Sequence, residues 1–433
     1  MSHLRGDKDL RGDKEVIKRM KMYNIRMNQN LKNAYHWVQA QLAVILYGNP
    51  SNKLKVIGVT GTDGKTTTTS LIYHVLKEKG KKVSMLSTVY GKVGDKEYDT
   101  GLHTTTPDPF LVQKLLKKAH EEGDEYFVLE TTSHALDQHR VGGVEYEIGL
   151  ITNITHEHLD YHKTYENYVR AKTKLLQRSK TRLVNRDDES YPFIAHILKS
   201  ENKKFLTFGL KKEADFNIDL SAKLGISLPE FNRYNYLAAY TVAWLLGIEE
   251  EYILHALKSF SLPIGRMETV YAEKFKVIVD FAHTPRAIRE ALKAVKDQSN
   301  LKGRLIHVFG SAGLRDQTKR PLMGDESGAY ADIAIITEED YRTEDPLQIA
   351  KQIANGLVRH DFTEVKDSEL NTTSAKKYSI ITNREDAIKK ALAIAGSGDV
   401  IIITGKGHEK SLCRGKIEYP WSDQEAVKRL LAK

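Results

Sequence analysis

Residues Val56–Thr69 read VIGVTGTDGKTTTT, a short apolar run passing directly into a glycine-rich loop that ends in Gly64-Lys65-Thr66. The apolar run reads as a buried strand, and the polar stretch after it as the opening of a helix from about Thr67 to Lys79. Gly61 and Gly64 let the backbone between them, through Thr62 and Asp63, curl so that successive N–H groups aim at one spot. Lys65 brings a mobile positive charge there, Thr66 a hydroxyl suited to Mg²⁺, and the helix beginning near Thr67 its positive end. The strict spacing G-x-x-x-x-G-K-[ST] would require glycine at position 59, where the chain has Val59. The loop is therefore the variant T-G-T-x-G-K-T, and its place between strand and helix predicts a triphosphate cradle for ATP or GTP.

The chain of 433 residues is too long for one core and implies two or three domains. A single cysteine, Cys413, excludes an internal disulfide and suits a reducing cytoplasm. The strongly apolar stretches are strand-length, far short of the ~20 residues that span a bilayer, and no secretory leader pattern opens the chain. The net charge of +9 is uneven, with nine Lys/Arg against four Asp/Glu in residues 1–32. Such a segment reads as a solvated basic tail that leaves peripheral contact with an anionic membrane open and is not assigned to nucleic acid.

Beyond that tail, residues 31–47 suggest a helix with Tyr35, Val38, Leu42 and Ile45 near one face, stopped by Gly48-Asn49-Pro50. Strands are then expected at 55–60, 83–88, 126–130, 149–153 and 182–185, separated by helices such as 109–122 and 165–179. A helical pair at 232–246 and 250–259 leads to a break at Leu262-Pro263-Ile264-Gly265. A new alternation follows, with strands at 277–281, 304–309, 333–337 and 400–404. The pattern predicts an α/β fold: a nucleotide-binding domain over 51–262 on a mostly parallel sheet, then a doubly wound, Rossmann-like domain over 263–433. Residues 1–50 stand outside both, and the Pro-Gly linker suggests a cleft that closes over ligands.

Strand ends supply the chemistry. Glu130, at the end of 126–130, faces the crevice where ligands of parallel sheets sit and is a candidate Mg²⁺ ligand. The run Thr152 to His162, TNITHEHLDYH, holds three histidines and two acids, without the cysteines or paired spacing of structural zinc. Thr104-Thr105-Thr106-Pro107 suits helix capping or a substrate carboxylate. Gly310-Ser311-Ala312-Gly313 before Arg315, Lys319 and Arg320, and Gly405-Lys406-Gly407-His408-Glu409, make two further turns suited to anions.

Taken in order, GVTGTDGKTTTT, TTTPD, LETTSHALDQHRV, TNITHEHLDYHKTYENYVRAKTKLL, FNRYNYLAA, GRMETV, VDFAHTPRAI, VFGSAGLRDQTKRPLMG, TEEDYRTEDP and TGKGHE resemble the Mur ligase family of peptidoglycan synthesis, on its branch that makes the muramoyl tripeptide. The resemblance spans roughly residues 35–433. It implies that ATP phosphorylates a substrate carboxylate, that the amine of an incoming amino acid attacks the acyl phosphate, and that phosphate leaves. Catalysis would then rest on positioning and charge neutralisation.

The same resemblance assigns residues. Lys65 would neutralise the nucleotide's outer phosphates, while Thr66, Glu130 and His158 would hold Mg²⁺. Lys172 matches a family lysine that carries a CO₂-derived carbamate toward a second Mg²⁺. Asn235, Arg266, Asp280, His283 and Lys319 fall in motifs that face ATP. Thr105, Thr106, Thr132, Ser133, Gln138 and Arg140 match positions gripping the muramoyl peptide, and Arg315, Glu339, Asp340, Arg342, Gly405 and Glu409 match the pocket for the amino acid. A monomer is expected.

Several departures accompany the match. Members of this branch begin with a folded module for the uridine diphosphate, whereas only about 50 residues precede the loop here, read as its remnant. The expectation is that the nucleotide-sugar is held differently or that a related carboxylate is the acceptor. The stretch between Phe208 and Phe231 looks short for the family. The motif Asp-Asn-Pro-Arg of diaminopimelate-adding members reads Glu339-Asp340-Tyr341-Arg342, which leaves diaminopimelate ahead of lysine by Arg342, able to meet a distal carboxylate. Gly313-Leu314-Arg315-Asp316 and Thr131-Thr132 replace the more usual Gly-Asp-Arg-Asp and Val-Ser. Two alternatives compete: a folylpolyglutamate synthase-like ligase, and a nucleotide-binding scaffold in cell-wall assembly, which would have no need of Lys65, Glu130, His158 and Lys172 together.

Overall fold

The computed structural model describes residues 29–432 apart from 100–104, 156, 158, 299–300 and 372–375. The basic tail, Thr104, His156 and His158 therefore lie outside the described residues.

The first sheet has eight strands: β1 (Lys55–Thr60), β2 (Val83–Leu86), β3 (Tyr90–Val93), β4 (Lys96–Asp99), β5 (Tyr126–Glu130), β6 (Tyr146–Ile151), β7 (Ser179–Asn185) and β8 (Leu206–Phe208). Their order is β4-β3-β2-β5-β1-β6-β7-β8, and only β3 runs against the rest, so its pairings with β2 and β4 are antiparallel. β1 is buried at every position after Lys55 because both faces are covered. Ile57 and Val59 join the core under helices Lys65–Glu78, Glu230–Leu245 and Glu250–Ser259, while Val56 joins the opposite core under Pro109–Glu121. β5 and β6 flank β1 on opposite sides, so the chain reverses direction across the sheet at β1. The loop after β1 opens at that reversal, where open α/β sheets hold ligands.

The second sheet comprises β9 (Glu268–Ala272), β10 (Lys276–Val279), β11 (Leu305–Phe309), β12 (Ile333–Ile336), β13 (Thr363–Glu364), β14 (Lys377–Ile380) and β15 (Val400–Ile403). It runs β13-β14-β12-β11-β15-β10-β9, with only β9 antiparallel. A separate hairpin, β16 (Ser411–Arg414) and β17 (Ile417–Pro420), follows. Arg384 and Asp423, both fully buried, tie the helix Asp423–Leu431 to the sheet through two bonds of 2.7 and 2.8 Å. The Arg384 guanidinium also donates to Glu338 O and Thr404 O, at the ends of β12 and β15. None of the described helices is long and apolar enough to cross a membrane.

The expected strand 83–88 ends at Leu86 because Ser87 starts a turn, its N–H donating to Tyr90 O at 3.0 Å and its Oγ accepting from Val89 and Tyr90. The strand expected at 149–153 begins earlier, at Tyr146, whose ring is buried. The helix Gln29–Tyr47 departs more. Tyr35, Val38, Leu42 and Ile45 are 42%, 47%, 53% and 76% exposed, and the face that packs carries Ala40 and Ala43. The absence of side chains at Gly142 and Gly143 makes room for this face: a Cβ on Gly143 would stand 2.3 Å from Val44 and one on Gly142 2.7 Å from Ala40.

His307 sits in the middle of β11, stacked on Phe309 and bonded to Ser327 Oγ at 2.9 Å and Thr404 Oγ1 at 3.0 Å. Burial, with Arg384 nearby, pushes its pKa down to about 3. Between the ordinary value near 6.5 and about 3, the unfolded imidazole holds a proton that the buried one lacks, so stability falls as pH falls through that window. Urea unfolding at pH 7 and pH 4 is expected to show a loss of about 3 kcal/mol from this group, and His307→Phe should flatten that part of the slope.

Candidate active site

The loop after β1 is fixed from below by the end of β6. Thr62 N–H donates to Asn153 O at 2.8 Å and Asp63 N–H to Asn153 Oδ1 at 3.0 Å. Thr152 Oγ1 and Asn153 Nδ2 donate to Asp63 O, at 2.7 and 3.0 Å. Gly64 has φ +79, and a Cβ there would meet Asn235 Oδ1 at 2.2 Å. Only glycine permits both the left-handed turn and this approach. The helix then starts at Lys65, two residues before the expected start. Asn235 itself accepts from Thr68 Oγ1 at 3.2 Å, so it buttresses the loop.

Around the loop stand the groups that charge the site. Thr66 Oγ1 donates to Glu130 Oε2 at 3.0 Å, and Thr88 donates to both oxygens of Glu130 through its N–H and hydroxyl. Lys65 Nζ donates to Thr62 O at 2.6 Å. Lys172, fully buried, donates to Gly61 O at 2.5 Å and lies over the Tyr168 ring. Burial drives its pKa well below the ordinary lysine value, and Lys65 adds to the shift. Burial raises Asp63, whose Oδ2 has no hydrogen-bond partner among the described residues.

The second half of the chain closes the site. Arg266 Nη2 donates to Thr66 Oγ1 at 3.2 Å and its guanidinium lies 4.4 Å from the Phe281 ring. Gly265 lets it approach: with φ +69, a Cβ there would stand 2.3 Å from the backbone of Gly407 and His408. Asp280 accepts from Met267 N–H and Ala282 N–H, and its pKa is raised by burial against the pull of Arg266. His283 Nε2 meets Glu157 Oε1 at 3.0 Å, and Lys319 Nζ donates to His283 O at 2.8 Å. Burial pulls His283 down, but the bond to Glu157 overcomes it and the net shift is upward.

Two subsites adjoin the cradle. On one side, Thr132 shares hydroxyl contacts with Thr105 and Thr106, and Arg140 donates to Gln138 Oε1 and Thr106 O. Ser133 Oγ meets His162 Nε2 at 3.1 Å, and burial lowers His162 to about 4. The hydroxyl-rich turn does not cap the next helix: Asp108 does, accepting from Phe110 N–H and Leu111 N–H, which leaves Thr106 to accept from Thr132 N–H. On the other side, Lys406 bridges Asp340 Oδ1, at 2.8 Å, and Glu409. Burial raises Glu409 to about 7, with Lys406 opposing. Arg342 adopts φ +54 and donates to Gly313 O at 2.7 Å.

A cavity of about 620 Å³ joins these parts. The loop Gly61–Thr67, Glu130, Lys172, Asn235, Arg266, Asp280 and His283 line it, together with Thr105, Thr132, Ser133, Arg140, Arg315, Asp340, Arg342 and Glu409. Thr106, Gln138 and Lys319 stand behind this wall and bond to Thr132, Arg140 and His283, while Glu339, whose Oε2 has no hydrogen-bond partner among the described residues, lies against Gly405. Asn153, Glu157 and His408 fall within runs the sequence singles out, TNITHEHLDYH and Gly405–Glu409, without roles of their own, and Tyr168 is given none. Only the crowding of polar residues after β6 signalled the first two. Tyr168, whose hydroxyl meets Thr62 Oγ1 at 3.2 Å, looks like any core tyrosine on a helix.

The residues fit a magnesium nucleotide. Mg²⁺ takes one or two carboxylates and completes its shell with phosphate oxygens and water, and Glu130 with Thr66 offers that partial set. Among the described residues no group of three or more His, Cys, Asp or Glu is arranged as a ready metal site. Gly64→Ala should abolish ATP binding in calorimetric titration and also lower the melting temperature, since the added Cβ strains a left-handed turn and presses on buried Asn235 in the helix Glu230–Leu245.

The Mur ligase middle domain matches residues 59–243, and the Mur ligase, glutamate ligase domain matches residues 265–407. UDP-N-acetylmuramoyl-L-alanyl-D-glutamate–2,6-diaminopimelate ligase of Aquifex aeolicus is 39% identical over 403 residues, covering 89% of this chain and 79% of that one. The ligase of the same name from Clostridium perfringens is 38% identical over 388 residues, covering 84% and 75%. Among solved structures, a UDP-N-acetylmuramoyl-L-alanyl-D-glutamate–2,6-diaminopimelate ligase is 29% identical with a TM-score of 0.57, covering 88% and 78%. Folylpolyglutamate synthase of Mycobacterium tuberculosis, complexed with ADP and AMPPCP, shares the fold at 14% identity and a TM-score of 0.66, covering 92% and 95%. With both domains matched in order and relatives aligned along most of their length, the chain belongs to the Mur ligase family.

Proposed function

We propose that the chain is an ATP-dependent ligase that adds an amino acid, diaminopimelate first and lysine second, to the carboxylate of a UDP-N-acetylmuramoyl-dipeptide-like acceptor in cytoplasmic peptidoglycan synthesis. One observation carries this: Lys65, Thr66, Glu130 and Lys172 from the first half and Arg266 from the second converge on one cleft with subsites on either side. A binding scaffold needs the loop but not this convergence.

The residues divide the work. Backbone N–H groups of the loop and the Lys65 ammonium hold the transferring phosphate's neighbours, and Arg266 meets charge that develops there. Thr66 and Glu130 would hold Mg²⁺, which when bound supplies charge neutralisation. Lys172 has the burial that favours a neutral amine at physiological pH, the form in which CO₂ can add to nitrogen with loss of its proton. Thr105, Thr132 and Arg140 would orient the acceptor carboxylate, and the Arg342–Glu409 side would present the amine. The carboxylate attacks the γ-phosphorus of ATP and ADP leaves. The amine's lone pair then attacks the carbonyl carbon of the acyl phosphate, the nitrogen loses a proton, and the carbon–oxygen bond breaks so that phosphate departs with one carboxylate oxygen.

Phosphate release is the test, with ATP, Mg²⁺ and UDP-N-acetylmuramoyl-L-Ala-D-Glu, adding meso-diaminopimelate, L-lysine, L-glutamate or no amine. Release that needs both acceptor and a diamino acid is expected, and Lys65→Ala or Glu130→Gln should lower kcat by about 10²–10³-fold. Release with a folate acceptor and glutamate instead would move the chain to the other ligase class. No turnover with any pair would support the scaffold.

A further inference from the structure

The hairpin β16–β17 is fastened to the loop Glu338–Arg342. Arg342 N–H donates to Cys413 O at 3.2 Å, Gly415 N–H to Arg342 O at 2.6 Å, and Cys413 N–H to Asp340 Oδ1 at 3.0 Å. The Arg414 guanidinium forks onto the Glu338 carboxylate, with Nε at 3.0 Å from Oε2. The strand register sets Cys413 opposite Glu418, and residues paired across antiparallel strands share a face. Glu418 therefore shares the face of Cys413, whose thiol it meets, and it lines the same cavity as Asp340, Arg342, Arg315 and Glu409.

The charges on this wall are unevenly committed. Lys406 is held between Asp340 and Glu409, and Arg342 is spent on backbone carbonyls and Asp340. Glu418 and Arg315 form no ion pair with the described residues, although both belong to the cavity wall. The Glu418 carboxylate has the Cys413 thiol as a hydrogen-bond neighbour but no cation, and Arg315 has no anion, so the two complement a ligand that carries an ammonium and a carboxylate besides its reacting amine. We propose that Glu418 is a specificity-determining residue, accepting the side-chain ammonium of a diamino acid while Arg315 takes a carboxylate. This rests on the ligase assignment above.

The test compares wild type with Glu418→Gln and Glu418→Lys in the full chain. Glu418 is exposed, so both variants should keep the wild-type melting temperature. The KM for L-lysine and meso-diaminopimelate should rise about tenfold in Glu418→Gln and further in Glu418→Lys, with the KM for ATP unchanged. L-Norleucine, which lacks the side-chain ammonium, should be a poor substrate of wild type and respond to neither change. A KM for lysine that stays at the wild-type value, or an equal rise for all three amines, overturns the role. Calorimetric titration of L-lysine into the ADP-loaded protein keeps the two claims apart. If wild type turns over no amine, the ligase assignment fails. Lysine affinity that is lost in Glu418→Gln still supports this role for Glu418, and absent or unchanged affinity overturns it.

Discussion

The hydroxyl of Thr66 stands between a carboxylate from one half of the chain and a guanidinium from the other. Glu130 accepts from it and Arg266 donates to it, so a single oxygen registers the two sheets against each other. The bond of His283 to Glu157 and the ion pair of Arg286 with Asp188 join the same two halves nearby. Arg266 reaches the Thr66 hydroxyl only because Gly265 passes within touching distance of Gly407, and Glu130 points to it only because β5 ends there. A water-filled gap would screen both charges. In the closed cleft they act at short range on whatever lies on the loop.

Burial of charge is the second constraint, and it sorts the charged groups into two kinds. Arg384 and Asp423 satisfy each other and nearby carbonyls, which makes them a brace. Lys172 is buried and Asp63 and Glu409 are half-buried, all with their titration displaced by desolvation, and they line the cavity. Such groups cluster where chemistry needs them poised. Fold and site thus use the same physics with opposite accounting of partners: complete in the brace, incomplete at the cavity.

The residues differed in how openly they announced these roles. β1 and the loop after it were legible because a continuous apolar run, two glycines and a lysine each have one good explanation. Arg266, Asp280 and His283 were legible only through resemblance, since an arginine after a glycine has no periodic signature. The hairpin β16–β17 and the edge strands β3 and β4 were not legible: they are four residues each and mix charge with apolar side chains. The packing face of the helix Gln29–Tyr47 was not legible, because it is set by the room that Gly142 and Gly143 leave, about a hundred residues away in sequence. Tyr168 and Glu157 needed three dimensions, as their partners lie 106 and 126 residues away in sequence.

Arg342 holds a left-handed backbone that an unbranched preference would give to glycine or asparagine. Its neighbours in the loop and hairpin enforce that conformation at a cost of order 1 kcal/mol. A drift to glycine would relax the turn and make the protein more robust, yet it would remove the only guanidinium the loop carries into the cleft. The position is therefore a trade: stability alone would favour glycine, and the arginine keeps a charge in the cleft at the expense of an easier backbone.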